Sequence, residues 1–149
     1  MDTVFTVLHV VSGVFLVGPM AILPMVALRA LRAHEAGAVA ASVKSVRLFT
    51  WLSLIVVVLG FGVLGMSDGK HHPTFASTWI WLSLVAYVIA MLVNLLVVVP
   101  ALRGAATAVE SAQGQVAGDK PDGYSRVAAG SGVSAILLVL IVVLMVWKP

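Results

Sequence analysis

The sequence predicts an all-α integral membrane protein built as a four-helix bundle. Of its 149 residues, 61% are hydrophobic and 10% are charged, whereas soluble domains carry about 25% charged residues. The mean hydropathy is +1.11, and four apolar runs approach or exceed the roughly 20 residues that cross a bilayer core. Because these runs are continuous rather than alternating, they indicate helices and not the strands of a barrel.

The apolar runs place the four predicted helices at about 3–28, 49–66, 78–102 and 127–147. Together they form a single transmembrane domain, 1–149. A polar connection of about 29–48 joins the first two helices, and one of about 103–126 joins the last two. The first connection is rich in alanine, with basic residues three or four apart, so we expect it to extend both of its helices beyond the membrane, with a break near Gly37.

The distribution of Lys and Arg predicts the orientation. Seven of these residues lie in the two long connections, against Lys70 and Lys148 at the opposite ends of the helices. Because basic loops stay in the cytoplasm, we expect the connections to be cytoplasmic and both termini to lie outside. The protein is therefore expected to be a multi-pass protein of the cell membrane, surrounded by lipids. The loops also account for the pI near 9.7, so no nucleic-acid partner is expected.

Small residues and prolines predict where the helices touch and where they bend. Glycine and serine let helix backbones approach closely in lipid, while proline removes a backbone donor. Asn94 lies within a span and is expected to hydrogen-bond to a neighbouring helix. We interpret the prolines as shaping a static bundle, with a moving hinge as the alternative. The predicted helix-packing residues are Ser12, Gly13, Gly18, Pro19, Pro24, Gly60, Gly62, Gly65, Asn94, Gly130 and Gly132.

The residue types that the sequence lacks argue against several classes of function. No Asp, Glu, Lys or Arg lies in the interior of a predicted span, although pumps and ion-coupled carriers usually need charged groups there. The chain has no cysteine, and no spacing pairs a nucleophile with a base. Phosphate-binding, zincin and dinucleotide motifs are also missing. We therefore expect no catalytic residue and no enzymatic activity in this chain itself.

His9 has two interpretations. It lies about two turns inside the first predicted helix, where an imidazole can hydrogen-bond to another helix or bind a metal or haem iron. His71 and His72 lie in the loop on the same predicted side. The favoured interpretation is an interhelical hydrogen bond, with no cofactor bound by the chain. The alternative is a copper, zinc or haem site made by His9 with His71 or His72.

The stretch LHVVSGVFLVGP, residues 8–19, carries a resemblance to known families. It resembles the first helix of small bacterial four-helix proteins that are described only as predicted integral membrane proteins. It is also similar to a wider group of haem-associated and copper-resistance membrane proteins, some of which use this histidine as an axial ligand. Their usual Trp-Gly-Gly after the histidine is replaced here by Leu16, Val17 and Gly18.

The alanine-, valine- and glycine-rich composition is similar to that of actinobacterial membrane proteins. Some small multi-helix proteins of that group are accessory subunits of the cytochrome bc1–aa3 respiratory supercomplex. The large apolar side chains of the third helix can face lipid or another subunit. We therefore expect a non-catalytic accessory subunit of a larger membrane complex, most specifically a respiratory cytochrome oxidase supercomplex. Haem or copper then belongs to the partner; metal or haem handling through His9 is the competing hypothesis.

Overall fold

The structure, a computed structural model, describes residues 2–66, 77–111 and 123–148. Within these residues it is helical, and four helices are long and apolar enough to cross a membrane. This confirms the predicted fold class. The side on which the termini lie stays a prediction. The four helices are α1 (Thr3–Arg32), α2 (Ala36–Gly65), α3 (Thr78–Ser111) and α4 (Tyr124–Trp147).

The helices are longer than the predicted spans, because alanine-rich sequence continues them through most of the first polar connection and into the second. Most of 29–48 is helical, and α3 extends to Ser111. The break expected near Gly37 lies at 33–35 instead, and Gly37 is inside α2. His34 ends α1 in the left-handed conformation, with a φ of 54°. The amide of Glu35 then bonds to the carbonyl of Ala30 at 3.1 Å, which satisfies a carbonyl at the helix end.

Helices α1 and α3 share an irregularity in the same place relative to a proline. A π-helical turn, Gly13–Val17, interrupts α1, and the amide of Gly18 bonds five residues back to the carbonyl of Gly13. A second π-helical turn, Asn94–Val98, interrupts α3 in the same way. A single residue separates each turn from the proline that follows it, Pro19 in α1 and Pro100 in α3. Since a proline ring clashes with the carbonyl four residues before it, the widened turn provides space for the ring.

The core lies at the end of the bundle that carries Arg29, Arg32, Arg103 and Arg126, here called the basic end. All four helices contribute buried side chains to it, such as Leu31 from α1, Val46 from α2, Leu102 from α3 and Val127 from α4. Arg32 also lies over the ring of Tyr124, 5.1 Å from its centroid. This contact ties the end of α1 to the start of α4.

At the other end of the bundle, here called the terminal end, the helices associate mainly in pairs. The helical segment Asp2–Ser12, which includes the first part of α1, packs chiefly on the last part of α2, Leu54–Gly65. The first part of α3, Thr78–Val93, packs chiefly on α4. A smaller core of Met20, Ala90 and Leu138 connects the two pairs in the middle of the bundle. The bundle is thus two helical hairpins joined most closely at the basic end.

Candidate functional site

His9 joins α1 to α2 by a side-chain hydrogen bond. Its Nδ1 lies 2.9 Å from the carbonyl oxygen of Val56. Since a carbonyl oxygen only accepts, Nδ1 must carry the proton, and in a neutral ring Nε2 is then unprotonated. The ring lies against Gly60, where an added Cβ would be 2.9 Å from His9 Cε1. Glycine at position 60 therefore makes the space that the imidazole occupies.

The predicted packing glycines differ in how much space surrounds them. An added Cβ at Gly62 would lie 3.0 Å from Phe5 Cδ1, and one at Gly130 would lie 2.8 Å from Val98 Cγ2. One at Gly13 would make an ordinary contact with Val56 Cγ1, at 3.9 Å. For Gly18, Gly65 and Gly132, no heavy atom of the described chain would lie within 4 Å of the added Cβ. Close helix approach therefore depends on Gly60, Gly62 and Gly130.

Ser12 and the prolines act within α1 itself. The hydroxyl of Ser12 donates to the carbonyl of His9 in its own helix, at 3.0 Å. Pro19 is separated from the π-helical turn by Gly18 alone, and Pro24 is buried inside the helical segment Gly18–Arg32. These residues shape α1 more than they join it to a neighbour.

Asn94 joins α3 to α4 inside the bundle. Its Nδ2 donates to the hydroxyl of Ser134 at 2.9 Å, and both side chains are buried. Its Oδ1 is also buried and has no hydrogen-bond partner among the described residues. Because Asn94 begins the π-helical turn of α3, this unpaired oxygen lies beside an irregular backbone segment. The predicted interhelical hydrogen bond is thus present.

A third polar contact joins α2 to α3, and sequence reasoning did not identify it. The hydroxyls of Ser53 and Tyr87 are 2.6 Å apart, and Ser53 also donates to the carbonyl of Thr50 at 2.7 Å. Since Ser53 has a single hydroxyl proton, Tyr87 is the donor in its bond to Ser53. The sequence did offer one signal that Tyr87 faces the interior. Tyr87 and Asn94 are seven residues apart and therefore share a face of α3.

No Asp, Glu, Lys or Arg occurs in 3–28, 48–66, 77–102 or 127–147, so the side chains that hydrogen-bond between the helices carry hydroxyl, amide or imidazole groups. Hydroxyl, amide and imidazole groups can hold helices together or bind a neutral polar molecule. Among the described residues, no group of three or more His, Asp or Glu side chains is placed to hold a metal ion. His71 and His72, the predicted partners of His9, lie outside the described residues.

Four apolar helices with neutral interhelical hydrogen bonds define an integral membrane protein of the multi-pass helical class. The model of the family described as "Predicted integral membrane protein (DUF2269)" matches residues 3–149. The chain belongs to this family. No curated protein and no solved structure matches the chain.

The contact between His9 and Gly60 yields a prediction. Gly60→Ala is expected to destabilise the protein by about 1–3 kcal/mol, because the new methyl group would overpack the ring and displace it from Val56. Gly65→Ala is the matched control, since its added Cβ meets open space. The free energy of unfolding in mixed micelles measures both. Equal stabilities for the two variants would contradict the packing role of Gly60.

The contact between Asn94 and Ser134 yields a second prediction. A double-mutant cycle with Asn94→Ala and Ser134→Ala is expected to give a coupling energy of about 0.6 kcal/mol, the average for hydrogen bonds between membrane helices. The hydroxyl of Ser131 bonds within its own helix, to the carbonyl of Ala128. A cycle of Asn94→Ala with Ser131→Ala is therefore expected to give no coupling, and equal coupling in both cycles would refute the assignment.

Proposed function

We propose that the protein is a non-catalytic subunit that packs against a larger membrane complex. The observation that carries this proposal is the low burial of the first hairpin. In the most apolar 18 residues of α1 and of α2, 17% and 11% of residues are buried within the chain, against 39% in α3. The terminal-end half of this hairpin rests mainly on its own two helices. It therefore leaves a broad apolar surface for a second membrane protein to cover.

The chemistry of the interior supports a structural role over transport or catalysis. Side-chain hydrogen bonds join α1 to α2, α2 to α3 and α3 to α4, and other buried hydroxyls bond within their own helices. Pumps and ion-coupled carriers usually need charged groups at this depth, and no Asp, Glu, Lys or Arg occurs in 3–28, 48–66, 77–102 or 127–147. We propose a respiratory cytochrome oxidase supercomplex as the partner. The support for this finer assignment is the compositional resemblance to small accessory subunits of the actinobacterial bc1–aa3 assembly.

Site-specific photo-crosslinking tests the subunit proposal. A photoreactive residue at Val58 of α2 or Phe15 of α1, both 67% exposed, is expected to crosslink to one membrane protein in intact cells. Ile136 of α4, 70% exposed, is the control position outside this hairpin and is expected to give weaker crosslinks. Mass spectrometry identifies the product, and native electrophoresis after mild extraction measures its size. Migration as a free monomer without crosslinks from either position would refute the proposal.

Metal or haem handling through His9 is the second candidate. The hydrogen bond of Nδ1 to the Val56 carbonyl supports it, because metal-binding histidines commonly hold their second ring nitrogen in this way. Nε2 would then be the ligand atom. His71 or His72 would complete the site with copper, zinc or haem iron.

The variant His9→Gln separates the two candidates. Glutamine keeps a hydrogen-bonding side chain but is a poor ligand for haem iron or copper. In the structural role, we expect the purified variant to match the parent in metal content and absorbance spectrum and to lose little thermal stability. Elemental analysis and absorbance spectroscopy of both proteins provide the measurement. Stoichiometric haem or copper in the parent and its loss in the variant would favour the second candidate.

A further inference from the structure

A groove runs along the outside of the bundle between α3 and α4, at the basic end. Its volume is about 670 Å³. Small side chains form much of its wall, because Ala101, Gly104 and Ala105 all face it. The groove is lined by Leu96, Val97, Pro100, Ala101, Gly104, Ala105, Ala108, Gly123 and Arg126.

The lining of the groove is apolar apart from one arginine. Leu96 and Val97, 68% and 40% exposed, lie nearer the middle of the bundle. Gly123 packs on α3, where its added Cβ would lie 3.2 Å from the carbonyl oxygen of Ala101. Arg126 lies on α4 between Gly123 and Gly130, and an added Cβ at Gly130 would be 2.8 Å from Val98 Cγ2. Because α4 runs antiparallel to α3, Arg126 lines the groove at about the level of 98–101 of α3, one turn beyond Leu96 and Val97. Arg103, also exposed, precedes the groove residue Gly104.

The groove crosses the predicted end of the third membrane span. Twelve residues separate Leu96 from Ala108 along α3, which corresponds to about 18 Å of helix. The predicted third span ends at about 102 and the fourth begins at about 127. Leu96 and Val97 are therefore expected at hydrocarbon depth, and Arg126 at the boundary with the headgroups.

We propose that this groove binds an anionic phospholipid of the leaflet at the basic end. The phosphate pairs with Arg126 and Arg103, since a guanidinium binds phosphate oxygens in a bidentate manner. An acyl chain lies along Leu96 and Val97. Basic pockets between membrane helices bind anionic headgroups in the same manner.

The arginine in the lining favours an anionic lipid over an apolar helix of another protein. A lipid phosphate pairs with the guanidinium of Arg126, whereas an apolar helix would leave that charge unpaired. The exposure of Leu96 and the position of the groove on the outside of the bundle give a lipid direct access from the bilayer. The occupant is therefore a single lipid molecule, and its phosphate distinguishes it from the surrounding chains.

The charge of the site is tested first. Delipidated full-length protein is titrated with phosphatidylglycerol or phosphatidylcholine, and native mass spectrometry counts the bound lipids. We expect tighter binding of phosphatidylglycerol, and about five-fold weaker binding for Arg126→Ala or Arg103→Ala. Arg47→Ala, at an exposed position of α2, is the matched control and is expected to bind like the parent. An equal loss in Arg47→Ala would show diffuse attraction and overturn the proposal.

The shape of the site is tested second. An added Cβ at Gly104 meets open space, so Gly104→Leu fills the groove without changing its charge and is expected to abolish the preference for phosphatidylglycerol. Gly132→Leu, which also enters open space, is the control outside the groove. Ala108→Leu is a second groove-filling variant should Gly104→Leu fail to fold, as judged by circular dichroism. Retained lipid binding in a folded groove-filling variant would overturn the proposal.

Displacement of the lipid by inorganic phosphate would also overturn the proposal and would identify a soluble anion as the ligand.

Discussion

A helix surrounded by lipid must satisfy its own backbone hydrogen bonds, and two prolines make this difficult at equivalent places in α1 and α3. Pro19 and Pro100 have no amide proton, and each ring crowds the carbonyl four residues earlier. In both helices a π-helical turn ends one residue before the residue that precedes the proline, at Val17 and at Val98. The rest of the structure depends on this solution, because it keeps both helices continuous through the bilayer.

Polar side chains inside the bundle must also find their hydrogen-bond partners within the protein. Ser12, Thr50 and Ser53 donate their hydroxyl protons to carbonyls of their own helices. Ser53 then accepts from Tyr87 and thereby joins two helices. The unpaired Oδ1 of Asn94 is the exception among the buried side-chain atoms of the described chain. Its place at the start of a π-helical turn makes this the least satisfied part of the interior.

Glycine determines how closely the two helices of each hairpin pack. Gly60 and Gly62 bring α2 against His9 and Phe5, and Gly130 brings α4 against Val98. The same close packing leaves the outer surfaces of α1 and α2 exposed at the terminal end. The subunit proposal follows from that exposed surface. The lipid proposal follows from the opposite end, where small residues of α3 leave a groove that Arg126 lines.

The sequence by itself determined the class of this protein, because hydropathy, run length and charge distribution are local properties of the chain. It also identified Asn94 and His9 as polar residues that need partners in lipid. It could not identify those partners, since the carbonyl of Val56 and the hydroxyl of Ser134 have no distinctive sequence signal. Nor could it separate Gly60, which contacts a ring, from Gly65, which faces open space. The tertiary structure decided these points, because the rotation of each helix about its axis depends on how all four pack together.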